Sequence, residues 1–172
     1  MTAEMKSLGA GKLHRFRSVS RKGTEPETRQ ASALCKVVRT FFDTNILVYA
    51  EDPSDRRKQE IAKQLIVHHL RQRSGVVSIQ VLQEYFVSAT GKLKLDIGLV
   101  RYQIEFFTHF QVVEPSAGDV LAAIDIRRLY GFSIWDSLIL RAAKKADCRI
   151  LLTEDMQHGQ TIDGVKIVNP FL

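Results

Sequence analysis

Cysteine is scarce in this chain. Cys35 and Cys148 are too few to staple a disulfide scaffold, and they fit a reducing compartment. Long apolar runs are missing too: no stretch approaches the roughly 20 residues that a membrane-spanning helix needs. The basic amino-terminal segment lacks the apolar stretch of a secretory signal, so the expected location is cytoplasmic and no membrane partner is expected. There is no dinucleotide-binding glycine fingerprint and no serine-hydrolase elbow. His68-His69, His109 and His158 are not spaced as zinc ligands, and surface or partly buried structural roles are expected for them. Gly9-Ala10-Gly11-Lys12-Leu13 imitates a phosphate-binding loop, but it lacks the first glycine at the right spacing, the Ser/Thr after the lysine and a buried strand before it.

What is present is ordinary globular material. The chain has 172 residues, 45% hydrophobic and 26% charged, enough for one domain with a substantial core. A net charge of +6 suggests a nucleic-acid footprint until it is divided along the chain. Residues 1–36 hold eight Lys/Arg against three Asp/Glu, whereas residues 37–172 hold seventeen against sixteen. The basicity belongs to the first segment, and the rest is nearly neutral. Residues 1–36 also show no sustained periodicity and few large apolar side chains, so they read as a disordered leader. A nucleic-acid-binding arm is the competing reading of that leader.

From Val37 the pattern changes. Val37–Phe42, Val76–Ile79, Phe110–Val113, Arg149–Thr153 and Val165–Val168 are β-rich runs. Helical segments are expected at Asn45–Ala50, from an N-cap at Ser54 to a break at Gly75, around Val81–Gly91, at Ile97–Phe107, Gly118–Tyr130 and Ile134–Ala146. Strands alternate with helices, and several strands are apolar at consecutive positions. That combination indicates one α/β domain over residues 37–172, a parallel sheet of about five strands covered by helices on both faces. Cys148, beside a strand, is expected in the core.

Open parallel sheets bind ligands beyond the carboxyl ends of their strands. Two strands here end in acids, Asp43 in Phe42-Asp43-Thr44-Asn45 and Asp155 in Leu152-Thr153-Glu154-Asp155. Each alone reads as a helix cap or turn residue. Asp136, in Ile134-Trp135-Asp136-Ser137, opens a helix whose dipole welcomes a negative charge. Glu84 lies off the apolar stripe of its helix, and periodicity makes it a solvated residue. Spacing alone does not unite the four.

A family likeness does. Phe41-Phe42-Asp43-Thr44-Asn45-Ile46-Leu47, Val81-Leu82-Gln83-Glu84-Tyr85, Trp135-Asp136-Ser137-Leu138-Ile139 and Leu152-Thr153-Glu154-Asp155, in that order, resemble the PIN domain. The closer resemblance is to the toxin ribonucleases of VapBC toxin–antitoxin pairs, and it covers residues 37–172. The leader departs from that pattern, because such toxins usually begin just before the first strand. The resemblance implies a three-layer α/β/α fold, with Asp43, Glu84, Asp136 and Asp155 as a catalytic, metal-binding quartet for Mg²⁺ or Mn²⁺. It implies hydrolysis of RNA phosphodiesters to a 5′-phosphate and a 3′-hydroxyl, a cognate protein antitoxin and a homodimer. Thr153 and Asn45 suit supporting roles, orienting Asp43 or a metal-bound water, while Glu154 is expected to face away and Thr44 has no assigned role. Arg56-Arg57-Lys58, Arg71/Arg73 and Lys92/Lys94 are candidate RNA-backbone contacts, although charged helix ends are usually just solvated. Two rivals stand beside the toxin reading: a PIN-domain nuclease of RNA maturation or decay, and a non-catalytic PIN-like module that binds RNA or a partner.

Overall fold

A computed structural model of the chain describes residues 37–172; the leader, the Gly9–Leu13 segment and Cys35 lie outside the described residues. The chain order is β1 (Thr40–Phe42), α1 (Thr44–Tyr49), α2 (Arg56–Arg71), β2 (Gly75–Ser78), α3 (Ile79–Gly91), α4 (Ile97–Phe107), β3 (Gln111–Val113), α5 (Ala117–Tyr130), α6 (Ile134–Lys145), β4 (Ile150–Leu152), β5 (Thr161–Ile162) and β6 (Val165–Val168). The six strands form one sheet in the order β3-β2-β1-β4-β6-β5. All neighbours are parallel except β5 and β6.

Thr40, Phe41 and Phe42 are all essentially inaccessible to solvent. Successive strand residues point to opposite faces, so burial of all three means that both faces of the sheet are covered. Val76 and Val77 of β2 and Leu151 of β4 continue this layer, and Ile46, Leu47, Val81, Tyr85 and Leu140 close over it from the helices. Cys148 is buried, as expected, and burial pushes its thiol pKa up to about 12.

Several boundaries differ from the sequence reading for identifiable reasons. The first strand begins at Thr40, because Val37 and Val38 are half exposed and unpaired. The N-cap of α2 is Asp55 rather than Ser54: its carboxylate accepts from the Lys58 amide. Gly75 does not end that helix, which stops at Arg71; Arg73 takes the left-handed turn with φ 50°. Gly75 instead opens β2 beneath the Phe110 ring, where an added Cβ would lie 2.4 Å from Phe110 Cε1. A sixth strand also joins the expected five: β5 pairs antiparallel with β6 through a two-residue turn at Asp163-Gly164. Both turn residues have positive φ (49° and 85°), as a type I′ hairpin turn requires.

Candidate functional site

In the sheet, the chain runs from β1 outward through β2 to β3, then returns to place β4 on the other side of β1. The carboxyl ends of β1 and β4 are therefore a topological switch point, where an open parallel sheet leaves a crevice. Asp43 directly follows β1, and its amide donates to Leu152 O at 3.0 Å, one step beyond the ladder. Thr153 directly follows β4, and Asp155 comes two residues later.

Asp43 is buried and caps α1, its Oδ1 accepting from the Thr44 amide at 2.6 Å. Its Oδ2 accepts from Thr153 Oγ1 at 2.6 Å and from Asn45 Nδ2 at 3.0 Å. The same Asn45 amide donates to Asp155 Oδ2 at 3.0 Å and to Thr153 Oγ1 at 3.2 Å, tying the two strand ends together. Burial is the main reason the Asp43 pKa is pushed up to about 7; the bonds from Thr153 and the Thr44 amide oppose it, and the charges of Asp155 and Glu84 add to it. A carboxylate so placed is poorly neutralised by the protein itself.

Glu84 comes from the middle of α3 and is half-buried, not solvated as periodicity alone indicates. Thr44 Oγ1 donates to its Oε2 at 2.7 Å, and Gln80 Nε2, one turn earlier, donates to its Oε1 at 2.8 Å. Thr44, without a role from the sequence, thus links the Asp43 cap to Glu84. Asp136 sits in the first turn of α6 and shares a reciprocal contact with its N-cap: Ser133 Oγ donates to Asp136 Oδ2 at 2.7 Å and accepts from the Asp136 amide at 3.0 Å. The Ser-x-x-Asp spacing of Ser133 and Asp136 announces such a cap in the sequence.

All four acids line one cavity of about 910 Å³, together with Asn45, Gln80, Gln83, Lys92 and Trp135. Glu154 lines it too, so it does not simply face away. Its carboxylate pairs with Lys58 Nζ at 2.6 Å and accepts from the Tyr49 hydroxyl, and Lys58 lies over the Tyr49 ring. That pair ties α1 and α2 to the loop after β4 and leaves Lys58 engaged. Of the candidate RNA contacts only Lys92 lines the cavity; Arg71 and Arg73 flank the opposite, amino end of β2. The histidines stand apart: His69 bonds Ser74 Oγ at 2.7 Å, His109 the Phe106 carbonyl, and His158 Nδ1 accepts from the Asn169 amide.

Among the described residues, no three His, Cys, Asp or Glu side chains stand close enough to grip an ion as they are. The donor set nonetheless fits a hard divalent cation in kind. It is all oxygen, it includes a buried carboxylate with a raised pKa, and Asn45 Oδ1 beside it is buried without a hydrogen-bond partner.

The family model of the PIN domain matches residues 40–161, a span that takes in Asp43, Glu84, Asp136 and Asp155. The chain belongs to the PIN domain family. The α/β fold with a mostly parallel sheet is the fold of that family. Among solved structures, a toxin–antitoxin complex from Klebsiella pneumoniae is similar at 24% identity and a TM-score of 0.57, over 76% of this chain and 97% of that one. A VapC toxin of Mycobacterium tuberculosis that cleaves the sarcin–ricin loop is similar at 17% identity and a TM-score of 0.56, over 65% and 86% of the two chains. A DNA-bound VapBC complex from Salmonella typhimurium gives 16% identity and a TM-score of 0.55, over 76% and 96%. At these identities the likeness is one of fold. No curated protein matches the chain significantly.

Proposed function

We propose that this PIN domain is a metal-dependent endoribonuclease acting as a toxin and held in check by a cognate protein antitoxin. The observation that carries the reading is the gathering of Asp43, Glu84, Asp136 and Asp155, from four separate elements, around one cavity at the switch point. The similarity to toxins of toxin–antitoxin pairs, over most of both chains, supports the biological setting.

Asp43, Glu84, Asp136 and Asp155 would hold Mg²⁺ or Mn²⁺. Such a cation, when bound, supplies Lewis acidity toward a phosphate oxygen and a lowered pKa for its water. The remaining work falls to the chain. Thr153 and Asn45 fix the Asp43 carboxylate by donating to its Oδ2, and Asn45 holds Asp155 in the same grip. Thr44 and Gln80 fix both oxygens of Glu84. These bonds hold three of the four carboxylates at the cavity, and gripping a cation would draw the acids closer together than they stand here. The acid cluster repels phosphate, and with a charge of +1 over residues 37–172 the body offers little bulk attraction. Selection of RNA then rests on shape and unpaired bases.

The reading implies RNA, an antitoxin and a second copy of the chain as partners, in the cytoplasm. No helix among the described residues is long and apolar enough to cross a membrane. An exposed apolar strip of Val67, Leu99, Tyr102 and Phe106, on α2 and α4, supports a protein partner. The test is cleavage of single-stranded RNA by the purified protein in Mg²⁺ or Mn²⁺. Asp43→Asn and Asp136→Asn should each abolish cleavage without unfolding the protein, and full activity in either would overturn the assignment. Saturating Mn²⁺ should also raise the melting temperature of the wild type by linkage; a metal-insensitive melt counts against a cation site. Expression with and without the gene immediately upstream separates a toxin from a housekeeping nuclease, because only a toxin should arrest growth when expressed alone.

A further inference from the structure

A second, smaller hollow adjoins the acidic cavity. It is a groove of about 180 Å³ over the carboxyl ends of β2 and β3, and Val113, Pro115, Val120, Leu138 and Ala142 give it an apolar lining. That volume is well below the roughly 300–1,000 Å³ of a site for a whole small molecule. It suits one flat ring. Three residues, Gln80, Gln83 and Trp135, belong to both hollows and form the wall between them.

Trp135 is the unusual member. It is the chain's sole tryptophan, it stands next to Asp136 in the first turn of α6, and 61% of it is exposed. The backbone beneath it is anchored, since Gln80 Nε2 donates to Trp135 O at 3.3 Å while also holding Glu84. An exposed indole, carried on an anchored stretch of backbone at the rim of an acidic cavity, places a neutral π-face beside the acids. The charged groups of the groove are already spent on each other: Lys145 Nζ meets Asp119 Oδ2 at 2.6 Å. What remains for a ligand is an apolar floor, an aromatic wall and the exposed Gln83 carboxamide.

We propose that this groove seats one unpaired RNA base next to the phosphate at the acidic cavity, with Trp135 as the platform on which that base stacks. The inference rests on the proposed function, because it takes the acids as the place of the phosphate. A base is favoured over a protein side chain for two reasons. The groove shares a wall with the acidic cavity, and it shares no lining residue with the apolar strip on α2 and α4. A base also carries no charge of its own, so it tolerates the acidic neighbourhood that repels the backbone. Single-stranded nucleic acid is generally gripped through such aromatic platforms. A duplex, whose bases are stacked on one another, cannot offer a base to the groove.

Trp135 fluorescence reads the contact directly. The full chain carrying Asp43→Asn, which keeps Trp135, is titrated in Mg²⁺ with single-stranded pentaribonucleotides, with a duplex of the same sequence and with a pentamer abasic at every position. Quenching by the single strands, absent with the duplex and the abasic pentamer, is the expected result. Equal quenching by the abasic pentamer, or none by any single strand, overturns the proposal. In the second case a protein partner becomes the candidate occupant. In cleavage assays, Trp135→Ala should raise KM for single-stranded RNA roughly tenfold with kcat little changed, and Trp135→Phe should restore most of the loss. Circular dichroism of both variants checks the fold. A wild type that cleaves RNA beside a Trp135→Ala variant with unaltered KM defeats the stacking role and leaves the proposed function standing. A wild type that cleaves no RNA defeats the proposed function, and the quenching titration still decides the stacking.

Discussion

At the scale of single residues, Asp43 carries a measurable contradiction. Its carboxyl pKa is pushed up to about 7 from the ordinary 3.8, chiefly by burial, so the folded protein binds that proton more tightly than the unfolded chain. Without metal, the stability owed to this group is therefore greatest below about pH 4 and falls as pH rises toward 7, then levels off. Asp119 runs in the opposite sense: its bonds from Lys145, Ser116 and Arg141 hold it well below the usual carboxylate range, and its contribution is lost as pH falls. Whole-protein melting curves mix the two, whereas the difference between wild type and Asp43→Asn isolates the first. Asparagine cannot accept from both the Thr44 amide and Thr153 Oγ1 at opposite ends of its amide, which costs about 1 kcal/mol. The released desolvation is on the order of a few kcal/mol. In a chelator, Asp43→Asn should be no more stable than wild type near pH 4.5 and more stable at pH 8. Urea unfolding at the two pH values tests this, and a pH-independent difference would refute the buried-charge account. Asp43 and Asp155 are legible in the sequence as strand-end acids, because locating a strand also locates the residues just beyond its end. Glu84 is legible only through the family resemblance: it is half-buried and bonded by Thr44, forty residues away, and no helical periodicity encodes that contact.

At the scale of elements, the alternation of strands and helices is readable because both faces of the sheet are buried and its strands are apolar at consecutive positions. The sixth strand, absent from the sequence reading, has a local signal of its own. Ile162-Asp163-Gly164-Val165 is an Asp-Gly turn between apolar residues, yet β5 is only two residues long and shows no period. Gly75 misleads because glycine commonly ends helices, whereas this one is required by tertiary contact. The Phe110 ring above it stacks on Phe42 with centroids 5.0 Å apart, and Phe110 is buried, so the ring has little room to retreat. Gly75→Ala should destabilise the protein by about 1–3 kcal/mol despite alanine's better strand propensity. Chemical denaturation measures this. An unchanged midpoint would show that the ring moves aside at no cost. Such a variant should keep its RNA cleavage below the melt, because Gly75 opens β2 at the amino end of the strands, away from the acids at their carboxyl ends.

At the scale of the whole molecule, net charge and large apolar side chains are unevenly spread along the sequence. Residues 1–36 hold eight Lys/Arg against three Asp/Glu and show no sustained apolar periodicity, whereas the family match covers residues 40–161. Folding energy comes mainly from burying large apolar side chains, and the sequence of residues 1–36 offers few of them. A chain beginning at Lys36 should therefore melt at the temperature of the full chain and cleave RNA at the same rate. The alternative, that residues 1–36 act as an RNA arm, makes a different demand. Cations that displace counterions from phosphate add to the slope of log K against log salt, by about 0.7 per contact on single strands. Removing an arm with several such contacts would weaken RNA binding most at low salt and flatten the salt dependence. Because extra attraction matters most where binding is marginal, cleavage at subsaturating RNA is the sensitive measurement. Parallel salt dependences and equal rates for the two chains would assign recognition to the neutral body and its cavity. A shallower slope and weaker binding in the shortened chain would assign part of it to the basic segment, and the dispensable-leader reading would fall.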